Sequence, residues 1–106
     1  MSTLADRHCR PLPAGTPALG QAQVDALLAQ LPGWTLEKGA ITKTWSFANY
    51  YETLAFVNAV AWVSHREDHH PELRVSYNRC RVEYSTHSVG GLSENDFICA
   101  ARLEAL

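Results

Sequence analysis

The sequence predicts an α+β fold: an antiparallel four-stranded sheet with three helices packed on one face, in the order α-β-β-α-β-β-α. Three observations predict it. Apolar residues recur at helical spacing in three separate stretches. Between those stretches lie two pairs of short segments in which apolar and polar residues alternate. Helix and strand breakers fall at the joints, at Pro32-Gly33, Pro71 and Gly90-Gly91.

Residues 1–20 carry Pro11, Pro13 and Pro17 with Gly15 and Gly20, and read as an irregular arm; residues 21–106 read as a single domain. Val24, Leu27, Leu28 and Leu31 form an i, i+3, i+4, i+7 stripe, which predicts a short amphipathic helix over 21–31 that Pro32-Gly33 stops. Residues 34–36 are a candidate short strand, and Glu37-Lys38-Gly39 turns the chain. Ile41, Lys43, Trp45 and Phe47 then alternate with Thr42, Thr44 and Ser46, a strand that places one lysine on the apolar side. Residues 49–68 are the longest helix candidate, with Leu54, Val57 and Ala61 on one stripe and Phe56, Val60 and Val63 beside it. So wide an apolar arc is expected to cover the sheet. Pro71 disfavours helical geometry at His70 and ends the helix near there. Leu73, Val75 and Tyr77, then Cys80, Val82, Tyr84 and Thr86, alternate with polar residues and predict two strands joined by a tight turn near Asn78-Arg79. After Gly90-Gly91, residues 93–106 form the last helix, with Ser93 as N-cap and Asp96 three residues later, a short-acid version of the capping box. Trp34, Trp45 and Trp62 are expected in the core.

With 106 residues the chain is one domain. Its formal net charge of −2 argues against direct nucleic-acid binding, which needs clustered Lys and Arg. No apolar run is long enough to predict a membrane span, and no signal-peptide pattern opens the chain. Cys9, Cys80 and Cys99 form no CxxC pair. An odd number of cysteines without a secretory signal suits free, inert thiols in a reducing compartment, so a cytoplasmic location is expected.

Four of the five histidines lie between residues 65 and 87. Imidazole has an ordinary pKa of about 6.5, so a cluster of histidines both gives and takes protons near neutrality. His65 and His69 are spaced i, i+4, as metal ligands on a helix face are, and the intervening acids resemble zinc peptidase motifs. Neither order of those motifs is met, because Arg66 stands where one needs Glu and Asp68 where the other does. No metal site is expected. His65 also suits the C-terminal end of a helix dipole. His69 and His87 fall at element ends, where partial exposure is expected and their removal should leave stability nearly unchanged.

Taken together, Asp68-His69-His70-Pro71-Glu72, Tyr77-Asn78, Ser85-Thr86-His87, Gly91-Leu92-Ser93 and Asp96 resemble the signature of the pterin-4a-carbinolamine dehydratases. Leu31-Pro32-Gly33-Trp34 and Phe56-Val57 are similar to that family as well, so the likeness runs from about residue 24 to 105. The resemblance implies the α+β layout above. It also implies acid–base roles at a pterin for His69 and His87, and a mainly substrate-binding role for His70. Asp68, Pro71, Thr86, Ser88 and Asp96 match positions that shape or line the pterin pocket. Asp96 is placed to cap the last helix, alone or alongside a site role. Two positions depart from the common family pattern: His65 stands where many members carry Glu, and Leu73 where many carry Trp.

The implied reaction is dehydration of a 4a-hydroxytetrahydropterin to the quinonoid dihydropterin. It needs an acid at the departing oxygen and a base for the N5 proton, with no cofactor, since the pterin is the substrate. The resemblance implies a homodimer or homotetramer and a functional link to an aromatic amino acid hydroxylase. A protein-binding, assembly or transcriptional cofactor module on the same fold is the alternative, and a metal-dependent hydrolase a more distant one.

Overall fold

In a computed structural model, which describes residues 3–106, the chain follows the predicted order. Helix α1 spans Gln21–Leu28, strands β1 and β2 span Thr35–Glu37 and Ala40–Ser46, and helix α2 spans Tyr50–Glu67. Strands β3 and β4 span Glu72–Val75 and Arg79–Tyr84, and helix α3 spans Glu94–Glu104. The four strands form one antiparallel sheet in the order β1-β2-β4-β3. Residues 1 and 2 of the predicted arm lie outside the described residues.

The joints are where residue chemistry dictated them. Lys38 and Gly39 both take positive φ, 51° and 78°, and close the β1–β2 hairpin. A two-residue loop with that handedness matches the twist of the strands it joins. At the start of α2 the Asn49 side chain accepts a hydrogen bond from the Glu52 N–H at 2.9 Å, satisfying one of the donors a helix N-terminus leaves free. Asp68 ends the same helix in the left-handed region, with φ 50°. The helix therefore stops before His69, and the predicted i, i+4 pairing of His65 with His69 on one helical face does not form.

Register sorts the sheet into two faces. Ile41, Lys43 and Trp45 pair with Tyr84, Val82 and Cys80, and Leu73 and Val75 pair with Val82 and Cys80. This face meets the helices. Lys43 stays there by pairing its amine with Glu104 and lying 4.7 Å from the centre of the Trp45 ring. The opposite face carries Thr44, Glu72, Arg74, Arg81 and Glu83. The most deeply buried helix is α3, with Phe97, Ile98, Cys99, Ala100 and Leu103 all in the core. Helix α2, expected to be the cover, buries Thr53, Val60, Val63 and Glu67 and leaves Leu54 and Ala61 in solvent. Trp62, expected in the core, is 60% exposed with the Arg66 guanidinium 4.8 Å from its ring centre. The N-terminal arm packs on α3 and adds to the core. Leu4 is buried in the core from a 3-10 turn at Leu4–Asp6, and the Leu19 N–H donates to the Leu92 carbonyl at 2.9 Å.

Candidate active site

Antiparallel pairing builds the site. Glu72, at the start of β3, lies opposite Glu83, near the end of β4. The residues just before β3 therefore come alongside those just after β4. His69, His70, Glu72, Glu83, Ser85, Thr86, His87 and Ser88 line one cleft of about 290 Å³ at that end of the sheet. Its size is at the small end of small-molecule sites, which run to roughly 300–1,000 Å³. A larger hollow of about 530 Å³ lies between the arm and the end of α3, but it holds no histidine. Among the described residues, the one ionisable group lining that hollow, Glu104, is already paired with Lys43.

Strand β4 ends at Tyr84, two residues earlier than predicted. Thr86 and Gly91 close the following loop, with the Thr86 N–H donating to the Gly91 carbonyl at 2.7 Å. Inside it, His87–Val89 form a 3-10 turn that Gly90 ends at φ 71°, a conformation suited to glycine. His87 is thus aimed by a turn, not by strand alternation, and it stands exposed at the cleft.

Behind the cleft is a buried carboxylate. Asp96 is 0% exposed, and its Oδ1 lies 2.6 Å from Nε2 of His69. Its Oδ2 accepts from the Thr86 hydroxyl at 2.8 Å and from the Ser93 N–H at 2.9 Å. The Ser93 bond is the helix cap, so capping and holding His69 are done by the two oxygens of one side chain. The Thr86 and Ser93 hydroxyl oxygens are 2.7 Å apart, which completes a buried network with every member partnered. The His69 ring also stacks on Tyr84, with centroids 5.8 Å apart and planes 11° from parallel. The His69 side chain is 13% exposed, partly exposed as its place at an element end predicts, and it is bonded to a buried carboxylate, so its removal is expected to cost stability. Held this way, His69 gives Nε2 to the carboxylate and keeps Nδ1 for another partner.

The cleft brings together His69, His70, Thr86, His87 and Ser88, with Asp96 bound behind His69. Asp68 and Pro71 do not line it: Asp68 is the exposed helix terminus and Pro71 the half-buried lead into β3. Glu72, Glu83, Ser85 and Tyr84 were not among the predicted site residues. Glu83 and Ser85 share strand parity, and Glu72 adjoins the His-His-Pro run, which are the signals that could have found the first three. Among the described residues no group of three or more His, Cys, Asp or Glu is arranged to hold a metal ion.

Comparison with known proteins bears on this geometry. A family model described as pterin 4 alpha carbinolamine dehydratase matches residues 17–106. A protein of Nitrosomonas eutropha carrying the provisional name pterin-4-alpha-carbinolamine dehydratase is 61% identical over 104 residues, covering 97% of this chain and 92% of its own. A protein of the same provisional name from Xanthomonas campestris pv. campestris is 60% identical over 105 residues, covering 97% and 89%. The crystal structure of a transcriptional coactivator/pterin dehydratase from Brucella melitensis superposes with TM-score 0.79 and 31% identity, over 83% of this chain and 96% of that one. A pterin dehydratase-like RuBisCO assembly factor of the alpha-carboxysome shares the fold, with TM-score 0.56 and 23% identity over 68% of this chain and 83% of that one.

Proposed function

This chain belongs to the pterin 4 alpha carbinolamine dehydratase family, and from that premise we propose that it dehydrates 4a-hydroxytetrahydropterins by histidine acid–base catalysis. The observation that carries the proposal is the 2.6 Å contact between His69 and the buried Asp96, at the back of a cleft that His70 and His87 also line. A fixed carboxylate orients the imidazole and stabilises it once it has taken a proton, as in other histidine–aspartate pairs. His69 is then the base that removes the proton from N5, leaving its electron pair to form the N5–C4a double bond. The C4a hydroxyl leaves as water with a proton from one of the other two histidines, and the N5–C4a double bond of the quinonoid dihydropterin forms. Nothing is oxidised or reduced, and the reaction calls for no cofactor. Each positioned acid or base contributes roughly 10²–10⁴-fold.

Membership of the family implies the physiological setting. The substrate is the product of a pterin-dependent aromatic amino acid hydroxylase, and the dehydratase returns it toward tetrahydropterin in the cytoplasm. The protein works as a homo-oligomer, a reading supported by the exposed Tyr51, Leu54 and Trp62 of α2 and by the open edge strands β1 and β3. A second role as a protein-binding or transcriptional cofactor module draws on the same exposed helix and on the coactivator description of the Brucella melitensis protein. None of those three side chains lines the cleft, so the two roles are compatible.

Stopped-flow dehydration of freshly generated 4a-hydroxytetrahydropterin tests the main proposal. The protein at micromolar concentration is expected to accelerate loss of the intermediate well above the unaided rate. An unchanged rate with folded protein overturns the reading and leaves the binding role.

A further inference from the structure

The sequence suggested three unrelated thiols, yet folding places two of them side by side. Cys9 in the N-terminal arm and Cys99 in α3 have their sulfur atoms 3.4 Å apart, across 90 residues of chain. Cys99 is fully buried, whereas Cys9 is half-exposed. The arm is held at this point by several independent bonds. The Cys9 N–H donates to Glu67 at 2.7 Å, and the Arg102 guanidinium donates to the Arg7 carbonyl at 2.9 Å. Asn95 accepts from the Arg10 N–H at 3.1 Å and donates to the Arg10 carbonyl at 2.8 Å. The two cysteines therefore meet because both neighbouring backbones are pinned. Cys80, buried in β4, has no part in the cluster.

We propose that Cys9 and Cys99 are a reversible oxidation site, at which a hydroperoxide converts the pair to a disulfide that clasps the N-terminal arm to α3. Bonding requires the sulfur atoms to close from 3.4 Å to about 2.05 Å. With its backbone pinned, Cys9 supplies that movement by rotation of its partly exposed side chain. The order of reaction follows from exposure and hydrogen bonding. The hydrogen bond with Cys9, then burial, push the Cys99 thiol well up, so Cys99 stays protonated. Cys9, the partly exposed member of the pair, attacks the peroxide first and gives up its thiol proton. Its sulfur bonds to one peroxide oxygen, the O–O bond breaks, and the other oxygen leaves as water or an alcohol after taking a proton. Cys99 then attacks the Cys9 sulfenic acid: the S–S bond forms, the S–O bond breaks, and the departing hydroxide takes the Cys99 proton as water. Two thiols lose two electrons and one hydroperoxide gains them.

The intact protein is treated in its folded state with hydrogen peroxide, alkylated in denaturant, digested and analysed by mass spectrometry. A single Cys9–Cys99 cross-linked peptide is expected, with Cys80 alkylated and the link removed by dithiothreitol. The oxidised protein should melt higher by roughly 10 °C, because the link closes nearly the whole chain into a loop. Cys9→Ser should abolish both the link and the shift, and Cys80→Ser should change neither. Three free thiols after treatment, Cys9 as sulfinic acid or in an intermolecular disulfide, or an oxidised form that melts no higher than the reduced one would each overturn the proposal.

Discussion

Nε2 of His69 and Oδ1 of Asp96 are 2.6 Å apart, and the carboxylate is sealed from solvent while the histidine faces the cleft. The pair joins α3 to the chain leaving α2, so one contact bridges the fold and the chemistry. In the proposed mechanism Asp96 is a positioning residue: it touches His69 and not the cleft.

Asp96→Asn keeps the shape and removes the charge. The dehydration rate is expected to fall by about 10²-fold or more, as wrong tautomers do in other histidine–aspartate pairs. Stability should fall by about 1–3 kcal/mol, because an amide has one acceptor oxygen and its NH2 group cannot accept in a buried network that uses both carboxylate oxygens. Rates and thermal melts of the one variant check both. A full rate with the lowered melting point would assign Asp96 to the helix cap alone.

His69→Ala and His87→Ala should each slow dehydration by about 10²-fold. Their melts should differ. His87 is exposed on its turn, so its loss should change stability by less than about 0.5 kcal/mol. His69 leaves a buried carboxylate oxygen unpartnered, at roughly 1–3 kcal/mol. The double variant should lose less rate than the product of the single losses. His65→Ala, exposed on α2 and absent from the cleft, is the control. A larger rate loss there than at His69 or His87 would show the roles to be wrongly assigned.

Exhaustive chelation should leave the dehydration rate unchanged. Nε2 of His69 is committed to Asp96, and α2 ends before His69 can share a helical face with His65. Loss of activity on chelation with recovery on adding zinc would instead support the hydrolase reading.

Acid should loosen the arm. Burial pushes the Glu67 carboxyl up, but the hydrogen bonds from the Cys9 N–H and His8, with the Arg102 charge, outweigh it and hold the group below its ordinary value of 4.5. A depressed carboxyl contributes stability that is present above the ordinary value and lost as pH falls through the depressed one. The difference in melting temperature between the native protein and Glu67→Gln should therefore be largest near neutrality and shrink below about pH 4.5. A difference that stayed constant into acid would remove Glu67 as the cause.

Light scattering at micromolar concentration should give a mass of at least two chains. A single species at 11.8 kDa would refute self-association.

The sequence by itself determined the order and type of the elements, because breakers and periodicities are local. Pro32-Gly33, Asn49, Gly90 and Ser93 each fix a joint through their own backbone geometry or hydrogen bonding. It also carried, through its likeness to a family, the cluster of His69, His70, His87 and Asp96. What tertiary structure alone decided were relations between distant residues. Strand register brought Glu72 and Glu83 to the cleft and placed Tyr84 beneath His69. The packed core holds α3 and Leu4 of the arm, and leaves Leu54 and Trp62 of α2 in water despite their helical spacing. Periodicity reports that a face is apolar; which of several such faces is buried depends on what else packs there. The same holds for Cys9 and Cys99, whose meeting depends on where the arm docks and leaves no mark in the spacing of the residues.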